Sequence, residues 1–308
     1  MDKMADVLGR AGAWCGQNKY LSAIKNAFQN FMPLTIAGAI GVLWCNVLVN
    51  ESTGLGIFFK PIMALEFLNP AFQAVNFCTI SCITVGITLG IAQEIGVWNM
   101  GAEKAGYIPG LVGLAAWLSV TNTSHMVEAK EAFTGIAGNE LGATGLFTGM
   151  IIGVLSVELF CFFEKQDALK IKMPEQVPPG VARAFEVLVP ATINLIITAC
   201  IGSACYNLTG LYLNDVIKNG IQGPLGAVGA TIPGVMIIYL VIMLFWLVGI
   251  HGNNMLSAVK EALFTPLALE NVEKFNKGEK PTNIINMYAL QMWGEFGGSG
   301  VTIGLVIA

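Results

Sequence analysis

Charge is what this chain has least of. Only 12% of its 308 residues are Asp, Glu, Lys or Arg, about half the roughly 25% of an ordinary soluble domain, and that shortage excludes a fully solvated surface around a single core. Histidine is scarcer still, with two copies. No Ser-His-Asp set, Walker loop or dinucleotide fingerprint occurs, so no soluble-enzyme chemistry is indicated. A net charge of -4 and a pI near 5.3 give no footprint for nucleic acid. The seven cysteines are odd in number, sit mostly in apolar runs and form neither a disulfide framework nor a metal cluster. Cys78 and Cys82, four apart, share a helix face and read as small packing residues. No cofactor or metal is expected. A cleavable leader is also missing: residues 1–26 are polar and amphipathic, with Lys3, Arg10, Lys19 and Lys25. The first span is expected to act as its own insertion signal, and this leading piece to lie on the membrane surface.

What the chain has instead is apolar length. Hydrophobic residues make up 55% and the mean hydropathy is +0.67, so its size is measured in membrane spans. Charge-poor runs cover about 31–49, the stretch between Glu66 and Glu94, 105–121, 141–163, 187–208, 227–250 and 287–308. Each is long enough to cross roughly 30 Å of hydrocarbon at about 1.5 Å per residue. The expected fold is all-α: a polytopic integral membrane protein of about seven transmembrane helices, with amphipathic or re-entrant helices besides. With a cytoplasmic N-terminus, 13 of the 16 Lys and Arg fall inside. Only Lys60, Lys130 and Lys218 are left outside, the asymmetry of the positive-inside rule.

Two loops exceed simple connectors. Residues 164–186 carry Pro174, Pro178, Pro179 and Gly180, which forbid a continuous helix and read as an extended cytoplasmic linker. The chain then divides into an N-terminal amphipathic segment (1–26), a first membrane half of four spans (27–163), the linker (164–186) and a second half (187–308). Within that half, 251–286 shows apolar residues at helical spacing among Lys260, Glu261, Glu270, Glu273 and Lys274. It fits an amphipathic helix on the cytoplasmic face or one arm of a re-entrant hairpin, broken or kinked at Pro266. A loose echo, Phe31-Met32-Pro33-Leu34-Thr35-Ile36 against Leu188-Val189-Pro190-Ala191-Thr192-Ile193, opens the first and fifth spans, and repetition or chance accounts for it. Gly38 with Gly41, Gly86 with Gly90, and Gly145 with Gly149 and Gly153 offer small faces for helix contact. The cluster Gly297-Gly298-Ser299-Gly300 reads as broken helix at a site or hinge, or as packing.

The stretch from Trp246 to Asn254 ends an uncharged run on His251, Gly252 and two amides. A helix end with its imidazole among the headgroups accounts for this. An ionisable group at membrane depth is also a functional candidate, and that reading is preferred. Glu158, near the cytoplasmic end of the fourth span, reads as structural, accepting hydrogen bonds from a neighbouring segment. Glu295 reads as a pore residue or as a snorkelling, unpaired one. His125, beside Glu128 and Glu131, reads as solvated.

Four segments resemble, in order and spacing, the membrane component, enzyme IIC, of bacterial sugar phosphotransferase systems, in the lactose, cellobiose and diacetylchitobiose branch. They are Asn26 to Ala39 (NAFQNFMPLTIAGA), Gly249-Ile250-His251-Gly252, Thr265-Pro266-Leu267-Ala268-Leu269-Glu270-Asn271, and Gly297 to Ala308 (GGSGVTIGLVIA). The resemblance implies a homodimeric permease in the bacterial plasma membrane that binds a disaccharide and holds it for a cognate phosphorylated IIB protein, itself supplied by IIA. It implies no phosphorylated residue in this chain. It sets His251 beside the sugar. Asn253, Asn254, Gln291, Trp246 and Trp293 are added on chemistry and position alone, as hydrogen-bonding and stacking groups suited to a neutral sugar.

The relatives continue past the GGSG helix into an Asn-Glu-Pro segment and further spans. Their absence implies a fragment or a truncated product lacking part of the sugar site. Glu295 precedes the glycine cluster and cannot stand in for the glutamate that follows it there. Two other functions stay open, an ion-coupled secondary transporter, which needs paired intramembrane carboxylates or a sodium site of broken-helix carbonyls, and a truncated membrane protein that does not transport.

Overall fold

The computed structural model describes residues 2–51, 54–126, 132–174, 176–247 and 252–295. Helix α1 (Asp2–Gln17) leads into α2 (Lys19–Leu43) at Asn18. The side-chain carbonyl of Asn18 accepts from the backbone N–H groups of Tyr20 and Leu21 at 3.0 and 3.1 Å, covering donors that a helix start leaves unpaired. A π-turn (Trp44–Leu48) extends α2 into a 30-residue helical stretch. A 3-10 segment (Lys60–Leu68), α3 (Asn69–Asn76) and a second π-turn (Phe77–Ser81) lead to a break at Cys82, beyond which α4 (Ile83–Met100) departs at 41°. Cys82 therefore sits at a break in the second span, with Cys78 in the π-turn before it.

Short α5 (Ala102–Ala105) joins α4 to α6 (Ile108–Val120). A three-residue pair, β1 (Ser124–Met126) with β2 (Ala132–Thr134), sets His125 opposite Phe133. It is the one departure from all-α structure among the described residues. Next come α7 (Gly138–Leu141), α8 (Leu146–Glu164) and the 31-residue α9 (Pro179–Thr209). The second half adds α10 (Leu213–Ile217), α11 (Gly223–Gly229), α12 (Ile232–Leu247), α13 (Gly252–Asn276) and α14 (Met287–Ala289), which runs into a π-turn at Leu290–Gly294.

Three of these stretches are long and apolar enough to cross a membrane, Lys19–Leu48, Leu146–Glu164 and Pro179–Thr209. Two bent pairs, Lys60–Ser81 with Ile83–Met100 and Leu213–Ala227 with Ile232–Trp246, raise the number to five among the described residues. The expected third span is only the 13-residue α6, short of the roughly 20 residues a helix needs to span. The expected seventh is described only as far as Glu295, and Gly297 to Gly300 lie outside the described residues.

Helix α4 is the centre of the first half. Ile83, Ile87, Ile91 and Ile95 recur every four residues and are no more than 1% exposed. Thr84 and Thr88 are buried on another face of α4, where Thr84 Oγ1 donates to the Gly142 carbonyl at 2.7 Å. A helix buried all round reads apolar all round, and α2, α6 and α8 surround this one. The glycine faces serve that packing. A Cβ on Gly149 would run into Thr88, and one on Gly41 would meet the Phe72 carbonyl at 2.6 Å.

The Pro-x-Thr echo lies well inside α2 and α9 and does not open a span. In both helices the threonine hydroxyl bonds back to the carbonyl four residues earlier, Thr35 to Phe31 at 3.4 Å and Thr192 to Leu188 at 2.8 Å. Back-bonding of this kind beside a proline is a bend-promoting device. Helix resumes after the linker at Pro179, where a missing N–H costs nothing. Within the linker Lys170 bonds Asp167 at 3.0 Å, and that hydrogen bond holds the Asp167 carboxyl below its usual range.

Polar contacts sort the elements into two ends. At one end Lys19 meets Glu158 at 2.6 Å, and Glu164 meets Lys104 at 2.8 Å and Arg183 at 2.9 Å, joining the start of α2, the α4–α6 turn, the foot of α8 and the start of α9. Glu158 is thus structural, as its position suggested. At the other end Thr148 donates to Asn214 at 2.6 Å, and Asn46 donates to Asn276 at 3.1 Å.

This second end overturns part of the charge count. Lys218, Lys274 and Lys277 line one cavity together with Gln73, Asn76 and Gly142, so Lys218 cannot be outside while Lys274 and Lys277 are inside. Helix α13 begins beside α12 and α1 and ends beside the far end of α2. Its last turn, at Asn276, thus lies at the end opposite the linker and not on the cytoplasmic face, and it continues as helix past Pro266. The charges that argued against a crossing are matched internally: Lys260 by Glu295, Glu270 by Lys274. Single cysteines replacing Lys218 and Lys277 are expected to react with a membrane-impermeant maleimide from the same face, and one replacing Asp167 only from the opposite face. Labelling of 277 together with 167 would refute this course for α13.

Candidate functional site

The site expected around His251 is the corner where α12 turns into α13. His251 itself lies outside the described residues, with 248–250. Gly252 opens α13 pressed against α12, since a Cβ there would strike the Ile242 carbonyl. Only glycine allows this approach. Asn253 follows, partly buried, and its Oδ1 accepts from Lys260 Nζ at 2.6 Å. Asn254 continues the first turn of α13. Trp246 stands in the last turn of α12, 36% exposed. Gln291 and Trp293 lie on the outer side of the π-turn, with Trp293 70% exposed, because Met287 and Leu290 take the buried side against Phe264 and Ala268. Among these candidates, the structure brings Asn253 into a polar cluster with Lys260 and Glu295.

Sequence reasoning missed the core of that cluster. Lys260, counted there as a loop cation, is 4% exposed and paired with Glu295, whose side chain is 18% exposed. Glu295 is therefore neither snorkelling nor unpaired. The pair ties α13 to the returning arm of the hairpin, which α12 also holds through Tyr239 Oη donating to the Leu290 carbonyl at 2.9 Å. The available signal was spacing, since Asn253 and Lys260 are seven residues, about two turns, apart and share a helix face.

The other end of α13 explains the Thr265–Asn271 motif. Asn271 Oδ1 accepts from the backbone N–H groups of Thr282 and Asn283 at 3.1 and 2.9 Å, and its amide donates to the Asn283 carbonyl at 2.8 Å. Asn283 in turn donates to Glu270 at 2.9 Å. Two residues of the motif thus fold the hairpin's loop back onto α13. Beside it lies a cavity of about 890 Å³ lined by Gln73, Asn76, Gln222, Glu270, Glu273 and Lys274 among others. Asn76 Oδ1 and Gln222 Oε1 are buried there with no hydrogen-bond partner among the described residues. Such a lining offers donors and acceptors to a neutral polyhydroxylated ligand. Glu158 and Glu295, the two carboxylates weighed for ion coupling, lie outside this lining and are each paired with a lysine.

The family model "Phosphotransferase system, EIIC" matches residues 19–308. The chain belongs to the EIIC family. Among its relatives, the oligo-beta-mannoside-specific EIIC component of Bacillus subtilis is 29% identical over 99% of this chain and 67% of its own length. The cellobiose-specific EIIC component of Lactococcus lactis is 25% identical over 99% and 74%. The crystal structure of ChbC, the IIC component from the N,N'-diacetylchitobiose-specific phosphotransferase system, superposes with a TM-score of 0.83 at 26% identity, covering 96% of this chain and 68% of that one. The EIIC chain described here therefore spans about two thirds of the length of the relatives it matches.

The contact at Gly252 yields a stability test. Gly252→Val forces α12 and α13 apart and should cost about 1–3 kcal/mol, read as a lowered unfolding temperature in detergent. Gly9→Ala, where a Cβ meets nothing within 4 Å, should leave that temperature unchanged or raise it. Equal behaviour of the two variants would show that the corner is not tightly packed.

Proposed function

We propose that this EIIC chain serves as the membrane permease of a sugar phosphotransferase system, taking a β-linked disaccharide of the cellobiose, lactose or diacetylchitobiose type and presenting it to a phosphorylated IIB protein charged by IIA. The observation that carries the reading is the family match over 19–308, with relatives named for oligo-beta-mannosides, cellobiose and lactose. The lactose relatives are EIICB components, which supports a IIB partner at the cytoplasmic face. The N-terminus is placed in the cytoplasm. Lys19, Lys104, Lys165, Lys170, Lys172 and Arg183 gather with the linker at that end, so the cationic bias keeps its sign after Lys274 and Lys277 move to the other. His251 is assigned to the sugar, with Asn253 beside it and Asn254, Trp246, Gln291 and Trp293 as further contacts. The working assembly is a homodimer, and the linker between α8 and α9 divides the first membrane half from the transport half.

Cells making this protein with its cognate IIB should accumulate radiolabelled cellobiose or diacetylchitobiose as the phosphate. They should fail to do so when IIB is deleted. His251→Ala should weaken binding of the transported sugar at least about tenfold, equal to about 1.4 kcal/mol, with membrane insertion unchanged. Wild-type affinity in that variant would remove the imidazole from the site, and uptake independent of IIB would overturn the phosphotransferase reading.

A further inference from the structure

Lys260 is buried in a layer where an unpaired cation is costly, and Glu295 neutralises it. A buried ion pair is poor evidence for stability alone, because an apolar pair of similar volume often does as well. The ammonium also has a second partner, Asn253 Oδ1, at 2.6 Å, and that contact fixes an orientation. A lysine only donates, so the oxygen of the Asn253 amide must be the atom facing it, and the amide Nδ2 must face away. Glu295, the nearby carboxylate that would otherwise attract an amide N–H, is engaged by Lys260. The two hydrogens of Asn253 Nδ2 are left to point away from the pair, two residues along the chain from His251.

We propose that Lys260 is a positioning residue for sugar recognition. Held in place by Glu295, it locks the Asn253 amide so that this side chain offers N–H donors, not a carbonyl, to a hydroxyl or ring oxygen of the sugar. The inference rests on the permease reading above and adds to it the polarity of one contact and the pair that sets it. Loss of the ammonium frees the amide to turn over, and the sugar then meets an acceptor where it needs a donor.

The test uses the full chain in lipid nanodiscs, with cellobiose and diacetylchitobiose as probes, and measures dissociation constant and unfolding temperature together. Asn253→Asp keeps an oxygen toward Lys260 and removes the donors. It also leaves one carboxylate more than Lys260 can neutralise, so it should lower the unfolding temperature, by less than Lys260→Met does, while weakening the sugar about tenfold or more. The double exchange Lys260→Glu with Glu295→Lys restores an ion pair but puts an acceptor opposite Asn253. It should recover most of the stability lost in Lys260→Met without recovering affinity, whereas Lys260→Arg, still a pure donor, should retain both. Wild-type affinity in Asn253→Asp or in the double exchange overturns the inference while leaving the permease intact. Failure of the wild-type chain to bind either sugar overturns the permease reading and the inference with it.

Discussion

Three carboxylates of this helix layer, Glu158, Glu164 and Glu295, are each met by a cation from a different segment. Glu158 on α8 is held by Lys19 of α2, Glu164 by Lys104 and Arg183, and Glu295 by Lys260 of α13. Where water is excluded, a single charge is costly and a matched one is tolerable only in a fixed geometry. Pairing therefore does more than neutralise: it fixes which helix ends meet. The first two pairs close the end of the bundle at which the linker emerges, and the third closes the hairpin. The rest of the fold, α4 and its glycine-lined neighbours, is apolar packing that fixes spacing but leaves rotation and register less constrained.

Much of this was legible in sequence because membrane folding is dominated by one variable. Runs without charge became α2, α8 and α9, and the structural role of Glu158 followed from its place near an interface. The failures share a cause. A charge count along the chain treats every lysine as solvated, so Lys260 and Lys274 argued against a crossing at 252–276. Their partners, Glu295 and Glu270, lie 35 residues away and one turn away respectively, and only the first of these distances was beyond local reading. The break at Cys82 and the early start of α9 were missed for a different reason. Hydropathy is blind to backbone geometry, and a π-turn or a proline at a helix start leaves the mean hydropathy of a run unchanged.

The motif that gave the strongest family signal also has a structural reason. In Thr265 to Asn271, Glu270 and Asn271 hold the loop at 277–286, and Glu270 also lines the cavity. Such a segment is needed in any chain that must turn a charged helix back on itself at the membrane edge, whichever sugar is carried.

Helix α13 joins these two levels. One end, with Gly252, Asn253 and Lys260, packs at the corner with α12, and the other borders the cavity with Glu270 and Lys274. The ten residues between Lys260 and Glu270 span about 15 Å of helix, and Pro266 lies between them, where the missing N–H removes one hydrogen bond of the ladder. A stiff rod would transmit any displacement at the cavity directly to the corner. A rod with one bond missing can flex near Pro266 while the Glu270–Asn283 and Lys260–Glu295 contacts hold on either side. Gly252, Asn253 and Lys260 thus fix the corner on one side of Pro266, and Glu270 and Asn271 fix the loop on the other, each with its own set of contacts.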